Sequence, residues 1–474
     1  MHYTIPTSTR VRLAFTKPIV KGLFKVLPYI PEKTVINTMK KLCGENNYPA
    51  GQEFIEKIFC TLRKVFKRAN SNCKRAIIEN MIINEGVAGQ KKRNAIRDAL
   101  GFDIPVLLVV SPTQRCPLRC YGCYAAEHSK DSDLSFEAFD RLITQAKEMG
   151  IYFFVISGGE PYIYDRIFEI FEKHSDAYFQ TYTSGVTLAE KDHVEKIARL
   201  GNVLPCISIE GFEEQTDRRR GKGHFKRVEK AMAKLKAAGV PFGFSGTATR
   251  ENNDMLLSDE LVDYYSNLGC DVGYYFQYMP IGREPAFELV PTPEQRMLRF
   301  ERILQLRREK SIILADFWCD GPLVGGCLAG GRRYLHVNNK GDAEPCVFAQ
   351  ASDMNVYDSS LLEILRDSKL FRAIRRRQPY SDNLLRPCMI IDVPECWREA
   401  IAESGAKLSY ATADKIAKEL KENIDQFSRE YAKLTEPVWN EKYEKLYRRG
   451  TDYIHSMRKK FSDTSEKEPD AAAQ

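Results

Sequence analysis

Three closely spaced cysteines, Cys116, Cys120 and Cys123, are the residues of this sequence best suited to chemistry. They lie in the nine-residue stretch CPLRCYGCY at 116–124. Three soft thiolates in one short loop can bind three irons of a cubane cluster and leave the fourth iron without a protein ligand. Structural zinc usually takes four protein ligands in paired motifs, and no second pair lies nearby. The spacing therefore predicts an iron–sulfur site with one open iron, in preference to zinc or a metal-free cluster of buried thiols.

Polar residues at the ends of predicted strands form a second candidate set. Gly158, Gly159 and Glu160 follow a buried strand pattern. Glycine lets a backbone approach a ligand closely, and a carboxylate can pair with an ammonium group. An ordinary turn is the alternative interpretation. Later predicted strands end at hydroxyls and a carboxylate that can hold ligand oxygens, namely Ser184, Ser208 and Glu210.

A second group of cysteines lies in a Cys- and Gly-rich segment closer to the C-terminus. Cys327 and Cys346 are followed by Cys388 and Cys396, and Cys319 precedes all four. This composition indicates a small domain stapled by a metal centre. Buried free thiols in a reducing compartment are the alternative.

These candidate residues depend on a sheet to bring them together. Between residues 105 and 280, short apolar strand patterns alternate with amphipathic helix patterns. Six strand–helix units in succession predict a parallel sheet, either open and doubly wound or an incomplete barrel. In both architectures ligands bind at the carboxyl ends of the strands. The predicted strands are Val106–Val110, Tyr152–Ser157, Tyr178–Thr183, Val203–Glu210, Phe242–Thr249 and Val272–Met279.

Positive charge is concentrated at the N-terminus. The net charge is +7, and residues 1–100 contain 19 Lys and Arg against 7 Asp and Glu. Within 10–27, Lys17, Lys21 and Lys25 share one face of a predicted helix, with apolar residues on the other. Such a helix can lie in a lipid headgroup layer or pack on the protein's own core. We therefore expect either a peripheral membrane contact through 10–27 or an internal contact, and no nucleic-acid partner.

The chain divides by composition into five expected regions. No apolar run approaches the roughly 20 residues of a spanning helix, and no signal peptide precedes the cysteines. A cytoplasmic protein is expected, with peripheral attachment to a membrane as the alternative. The regions are a basic helical region at 1–100, a core domain at 101–310, a small Cys-rich domain at 311–400, C-terminal helices at 401–461 and a disordered tail at 462–474.

The C-x3-C-x2-C loop after the first strand and the Gly-Gly-Glu turn after the second resemble the radical S-adenosylmethionine (radical SAM) superfamily. The resemblance covers about residues 105–400. It implies an α/β fold, a partial (βα)6 TIM-like barrel with an N-terminal helical region, a small C-terminal Cys-rich domain and a helical tail.

The resemblance also implies the cofactors and the chemistry. A [4Fe–4S] cluster would be bound by Cys116, Cys120 and Cys123, and a flavodoxin- or ferredoxin-type partner would reduce it. In the family, an electron from the cluster cleaves S-adenosylmethionine to methionine and a 5′-deoxyadenosyl radical, which abstracts hydrogen from the substrate. The residues implied to bind S-adenosylmethionine are Gly158, Gly159, Glu160, Ser184, Ser208 and Glu210.

The sequence departs from the family pattern before the third cysteine. Family members usually have a bulky or aromatic residue there, which contributes to the adenine pocket, whereas this chain has Gly122. Tyr121 or Tyr124 is expected to stack on the adenine instead. The Met279-Pro280-Ile281-Gly282 segment resembles a turn near the adenine in the family.

Cys327, Gly341 and Cys346 resemble the opening of the C-terminal module called SPASM, or its shorter twitch form. Thirteen residues separate Cys327 from Gly341, and four separate Gly341 from Cys346. The resemblance implies one auxiliary iron–sulfur cluster, because the dense run of later cysteines in a full module is absent. Its implied ligands are Cys327, Cys346 and Cys388, with Cys319, Cys396 or an open site in the fourth position.

Three functions follow from these features. The first is a radical SAM enzyme acting on a peptide or protein side chain, and the second applies the same chemistry to a lipid or membrane-associated substrate. The third is a non-catalytic cluster protein that carries electrons or binds a partner. The sequence does not identify a catalytic side chain that completes the reaction.

Overall fold

The computed structural model describes residues 18, 22–43, 49–125, 132–410 and 413–448. Most of segment 10–27, where an amphipathic helix is predicted, lies outside the described residues, as does the predicted tail at 462–474. Within the described ranges, no helix is long and apolar enough to cross a membrane.

A nine-stranded sheet forms the centre of the structure. Its strands are β1 (Leu107–Val110), β2 (Phe153–Ile156), β3 (Tyr178–Thr183), β4 (Val203–Ile209), β5 (Gly243–Ala248), β6 (Val272–Gln277), β7 (Ile313–Asp316), β8 (Tyr334–Val337) and β9 (Ala343–Glu344). Their order across the sheet is β7-β6-β5-β4-β3-β2-β1-β8-β9. All neighbours are parallel except β8 and β9. The predicted parallel α/β fold class is confirmed, and β1 to β6 lie within two residues of the predicted bounds.

The strands and the helices between them follow from hydrophobic periodicity. Leu108 and Val110 of β1 are fully buried, as expected for a parallel strand covered on both faces. In the helix Phe136–Glu148, Phe139, Leu142 and Ile143 are buried on the face toward the sheet. The Ser135 hydroxyl caps this helix by accepting a hydrogen bond from the Ala138 N–H.

The helices occupy the connections between the strands and both ends of the described part of the chain. They are Glu32–Cys43, Pro49–Arg68, Ser71–Ala76, Gln90–Leu100, Phe136–Glu148, Ile167–Lys173, Val186–Glu190, His193–Leu200, Glu213–Arg220, His224–Ala237, Asn253–Leu256, Asp259–Leu268, Pro293–Glu309, Gly321–Val324, Leu361–Asp367, Lys369–Arg377, Pro394–Ser404, Ala413–Ala417 and Lys421–Val438. Short 3₁₀ turns and π-helical segments add Leu27–Tyr29, Ile77–Gly89, Pro161–Ile163, Phe287–Leu289 and Trp439–Tyr443. A small antiparallel pair joins Ala351–Ser352 to Lys407–Leu408.

The N-terminal helices pack on the residues that precede the strands. The Asn80 amide donates to the Ala177 carbonyl just before β3, at 2.8 Å. The Asn70 amide donates to the Ala238 carbonyl, in the turn before β5, at 3.0 Å. Arg68 pairs with Asp271 directly before β6. These helices therefore cover the amino edge of the sheet, opposite the edge where ligands bind in parallel α/β folds.

Residues 311–400, expected as a small Cys-rich domain, contribute three strands to the same sheet. Strand β7 pairs with β6, and β8 pairs in parallel with β1. Strand β9 returns antiparallel to β8 and forms a sheet edge, as β7 does on the other side. The barrel is therefore incomplete, and the Cys-rich segment lies beside its first strand.

We predict that Gly201→Ala destabilises the fold more than Gly405→Ala. Both glycines end helices with positive φ, 77° and 65°. A Cβ at Gly201 would lie 2.4 Å from the Asn72 carbonyl carbon of the N-terminal helices, whereas one at Gly405 meets nothing within 4 Å. Gly405→Ala should cost about 1–2 kcal/mol through backbone strain alone, and Gly201→Ala about 3 kcal/mol or more. Denaturant unfolding checks both values, and equal losses would show that the N-terminal helices do not pack closely here.

Candidate active site

The segment Ser111–Ala125, here called the Cys116 loop, leaves β1 at the carboxyl edge of the sheet. The thiol residues Cys116, Cys120 and Cys123 all line one cavity. This cavity has a volume of about 190 Å³. The strand ends that line it include Gly158, Gly159, Ser184, Ser208, Thr247 and Gln277.

The Gly-Gly-Glu turn after β2 packs directly on the backbone of the Cys116 loop. The Gly159 N–H donates to the Thr113 carbonyl at 2.9 Å, and the Glu160 N–H donates to the Arg115 carbonyl at 2.8 Å. A Cβ at Gly158 would lie 2.3 Å from the Thr113 oxygen, and one at Gly159 would lie 2.3 Å from the Arg115 oxygen. The two glycines are therefore needed for contact within the protein, which the sequence analysis did not anticipate.

The Glu160 carboxylate is fully buried and connects β2 to the end of β3. It accepts hydrogen bonds from the Thr183 hydroxyl at 2.7 Å and the Ser184 N–H at 2.9 Å. The Ser184 hydroxyl donates a further bond at 2.5 Å. Burial raises the pKa of Glu160, and these hydrogen bonds oppose the rise. Thr183 and Ser184 line the cavity, whereas Glu160 lies behind them and orients them.

Glu210, at the end of β4, pairs with two arginines that line the cavity. Arg219 donates to one carboxylate oxygen at 2.7 Å, and Arg220 donates to the other at 2.6 Å. Arg219 also reaches the carbonyls of Tyr121 and Gly122 in the Cys116 loop, at 3.3 and 3.4 Å. Both arginines therefore bind a carboxylate within the protein, that of Glu210. Arg219 also joins the end of β4 to the Cys116 loop.

Residues 110–271 match the family model described as "Radical SAM superfamily". This matched range begins at the end of β1 and contains the Cys116 loop, the Gly-Gly-Glu turn and Glu210. The chain contains a radical SAM superfamily domain. The resemblance found in the sequence is confirmed, and the protein is an enzyme, in place of the non-catalytic cluster protein considered above. Membership implies a [4Fe–4S] cluster and S-adenosylmethionine.

Curated relatives share about a quarter of the residues with this radical SAM enzyme. The AdoMet-dependent heme synthase of Methanosarcina barkeri is 25% identical over 66% of this chain and 95% of its own. The PqqA peptide cyclase of Rhizobium meliloti is 28% identical over 64% and 84%. The mycofactocin maturase MftC of Mycolicibacterium smegmatis is 27% identical over 59% and 74%.

A solved structure of Streptococcus suis SuiB bound to S-adenosylmethionine has the same fold. The TM-score is 0.51 at 20% identity, over 61% of this chain and 72% of SuiB. The likeness is one of architecture, and it agrees with the incomplete parallel barrel described above.

The Cys116 loop of this radical SAM enzyme has a donor set that fits a [4Fe–4S] cluster. Across the described residues, no three His, Cys, Asp or Glu side chains meet closely enough to hold a single metal ion. The thiolates of a cubane bind different irons, however, so they need not converge on one point. Burial raises the pKa of Cys116 to about 12, and the Leu118 N–H, which hydrogen-bonds the sulfur, opposes the rise. Burial also raises the pKa of Cys120, against the positive charge of Arg220.

Tyr278, just beyond β6, explains the glycine before the third cysteine. A Cβ at Gly122 would lie 2.6 Å from the Tyr278 ring, and Gly122 has a positive φ of 60°. The ring of Tyr278 therefore takes the space that a bulky residue at position 122 would need. Two tyrosines were expected to stack on the adenine. Tyr124 lines the cavity, and its hydroxyl forms a hydrogen bond with the Ser157 hydroxyl at 2.6 Å. The Tyr121 ring lies beside the Arg219 guanidinium.

The Met279–Gly282 turn closes onto the same loop. The Arg283 N–H donates to the Cys123 carbonyl at 3.1 Å, and the Arg283 guanidinium donates to the Cys120 carbonyl at 3.1 Å. A Cβ at Gly282 would lie 2.2 Å from the Cys123 oxygen. The turn that resembles an adenine contact in the family thus also supports two of the cysteines.

The second cysteine group repeats one local geometry three times. The sulfurs of Cys327, Cys346 and Cys388 each accept a hydrogen bond from the backbone N–H two residues later, at 3.4, 3.5 and 3.4 Å. Backbone N–H donors of this kind stabilise a thiolate and tune iron–sulfur centres. Burial raises the pKa of the first two thiols to about 11 and that of Cys388 to about 12.

The two remaining candidates, Cys319 and Cys396, have different surroundings. Cys319 contacts the buried Arg299 and lies near Asp316, in a separate small core with Phe300 and Trp439. Cys396 lies close enough to Tyr380 to affect its pKa, and Tyr380 hydrogen-bonds Cys327. Tyr380 therefore links Cys396 to Cys327, whereas Cys319 interacts with the buried Arg296 and Arg299.

Aromatic residues complete the cavity, and Tyr124 is the one among them that the sequence had already pointed to. Phe276 stacks on Phe317 with centroids 4.9 Å apart, and Phe317 meets Tyr334 edge-on at 6.5 Å. Phe348 meets Tyr124 at 5.5 Å. We call these five residues the aromatic wall. No local sequence signal marks them, because they come from four distant segments.

We predict that Gly159→Ala reduces iron incorporation at the Cys116 loop without unfolding the protein. The added Cβ meets the Arg115 carbonyl, next to Cys116, and displaces the loop. Iron content after anaerobic reconstitution should fall by about half, because the second cysteine group keeps its own expected cluster, while circular dichroism stays unchanged. Gly22→Ala is the matched control, because its Cβ meets nothing within 4 Å. Full iron loading of Gly159→Ala would contradict the assigned contact.

Proposed function

We propose that this enzyme removes a hydrogen atom from a peptide or protein side chain, with a [4Fe–4S] cluster and S-adenosylmethionine as cofactors. One observation carries the proposal: a single cavity joins the three thiols, the polar strand ends and the aromatic wall. When bound and reduced, the cluster supplies the electron that cleaves S-adenosylmethionine and yields the 5′-deoxyadenosyl radical. A flavodoxin- or ferredoxin-type protein is the proposed reductant.

The chain's own residues hold and orient the cofactors. Cys116, Cys120 and Cys123 are the proposed iron ligands. Ser184 and Ser208 present hydroxyls to the cavity for the polar groups of S-adenosylmethionine. Gly158 and Gly159 let the backbone line the cavity closely.

Two acidic residues act behind the cavity surface. Glu160 orients Thr183 and Ser184 through its hydrogen bonds. Glu210 keeps Arg219 and Arg220 beside the thiols, where their charge offsets that of a bound cluster.

The apolar part of the cavity lining suits a carbon-bound hydrogen of an uncharged group. Phe276, Phe317 and Tyr334 form it together with Val109 and Val155. Apolar walls exclude water, which protects a radical from side reactions. The charged side chains in the described lining are Arg219 and Arg220, and both are paired with Glu210.

A peptide substrate is favoured by the relatives named for peptide chemistry. The PqqA peptide cyclase and the mycofactocin maturase each match more than half of this chain. The heme synthases match as well, so family likeness alone does not select the substrate. A lipid remains the second candidate from the sequence, through the predicted contact of residues 10–27 with a membrane.

We further propose that Cys327, Cys346 and Cys388 bind one auxiliary iron–sulfur cluster, with Cys396 as the fourth ligand. The repeated N–H···S geometry and the shared burial of the thiols support this. Asp392 orders the Cys388 segment, because its carboxylate accepts the Cys388 N–H at 2.9 Å and pairs with the buried Arg296.

We predict that replacing Cys116, Cys120 and Cys123 by alanine abolishes formation of 5′-deoxyadenosine. The reconstituted enzyme is reduced with dithionite without air in the presence of S-adenosylmethionine, and 5′-deoxyadenosine is quantified by chromatography. Cys60→Ala, which removes a buried thiol of an N-terminal helix, should retain the product. Equal product from the triple variant would overturn the assigned cluster site.

The substrate class is tested by the stimulation of 5′-deoxyadenosine formation. A pool of random linear peptides should raise the rate above that seen without substrate, since substrate binding commits the cofactor to cleavage. Phospholipid vesicles and a porphyrin are the competing additions. Stimulation by either of them and not by the peptides would reject the peptide proposal.

We predict that Cys388→Ala and Cys396→Ala lower the iron content of the triple-cysteine variant, whereas Cys319→Ala does not. The first two remove proposed ligands, and the third removes a thiol that contacts Arg299. Iron and sulfide assays with absorption spectra measure the change. Iron loss with Cys319→Ala alone would reassign the fourth ligand.

A further inference from the structure

Tyr334 lines the cavity of the Cys116 loop and also hydrogen-bonds a sulfur of the second cysteine group. Its side chain is buried, with 5% of its surface exposed, and it lines the cavity of the Cys116 loop. Its hydroxyl donates a hydrogen bond to the Cys346 sulfur at 2.8 Å. The Tyr334 side chain therefore reaches from the cavity lining to the Cys346 sulfur.

The sheet register places Tyr334 in this position. Tyr334 begins β8 and pairs with Leu107 of β1, which also lines the cavity. The β8–β9 hairpin then returns, with His336 opposite Glu344. Continuing that antiparallel register places Cys346 opposite Tyr334, so the backbone sets the hydroxyl beside the sulfur.

The neighbours of Tyr334 hold its ring on the cavity side. Phe317 meets the ring edge-on at 6.5 Å and stacks on Phe276. Cys327, Cys346 and Cys388 are not among the residues that line the cavity. A molecule in the cavity can therefore contact the Tyr334 ring, whereas these three cysteines lie outside the lining.

We propose that Tyr334 is a positioning residue of the auxiliary cluster, and that its O–H···S hydrogen bond to Cys346 raises the reduction potential of that cluster. The inference rests on the proposed function, because it requires a cluster at the second cysteine group. A hydrogen bond to a ligand sulfur stabilises the more negative, reduced state of a cluster, so it makes reduction easier.

The test is Tyr334→Phe in the full chain that carries alanine at Cys116, Cys120 and Cys123. In this background only the second group can bind a cluster, so its electron paramagnetic resonance signal is observed alone. Phenylalanine keeps the ring and removes the hydroxyl. We expect unchanged iron content, a lower midpoint potential in an anaerobic redox titration and shifted g-values.

Tyr182→Phe in the same background is the matched control. Tyr182 also lines the cavity, but its ring contacts Tyr274 and Phe276 and it does not contact the second cysteine group. Its loss should leave the potential and the signal unchanged.

The outcomes separate this inference from the proposal beneath it. If the triple-cysteine variant binds no iron, the auxiliary cluster is wrong and the role of Tyr334 falls with it. If iron is bound and Tyr334→Phe has the wild-type potential and g-values, only the role of Tyr334 is overturned. An equal shift from Tyr182→Phe would show a general effect of the cavity lining and would also overturn it.

Discussion

The contact between the Gly-Gly-Glu turn and the Cys116 loop is the constraint on which the rest of the site depends. Two backbone hydrogen bonds, from Gly159 and Glu160, join the ends of β1 and β2. Each contributes only about 1 kcal/mol net. Their role is geometric, because the backbones approach so closely that a Cβ at either glycine would collide with a carbonyl oxygen. Glu160 extends the unit to β3 through Ser184, so the Cys116 loop and the ends of β2 and β3 form one hydrogen-bonded assembly.

The charged side chains next to this assembly are paired with one another within the protein. Arg219 and Arg220 lie beside the thiols, and both are held by the buried Glu210. A buried ion pair is weak support for stability, because desolvation offsets much of the attraction. The pairing with Glu210 can instead hold the Arg219 and Arg220 guanidiniums in fixed positions beside the proposed, negatively charged cluster. The aromatic wall contributes no formal charge to the described lining of the cavity.

The two ends of the barrel are used differently. The N-terminal helices cover the amino edge of the sheet. Some of their basic residues form ion pairs there: Arg68 pairs with Asp271, and Arg93 pairs with Glu85. The carboxyl edge stays available for ligands. The C-terminal segment returns to the first strand, where β8 brings the second cysteine group next to the same cavity. Tyr334 then lies between the two sites, which links the proposed auxiliary cluster to the reaction cavity through one side chain.

By itself, the sequence determined the six parallel strands, the Cys116 loop and the polar strand ends, because hydrophobic periodicity and motif spacing are local properties. It also located the Cys327, Cys346 and Cys388 group. Only the tertiary structure decided that β8 pairs with β1, since that pairing joins segments far apart in the chain. It likewise showed that Tyr278 fills the space beside Gly122 and that Glu160 faces inward. Contacts of this kind depend on which surfaces meet after folding, and no short-range pattern encodes them.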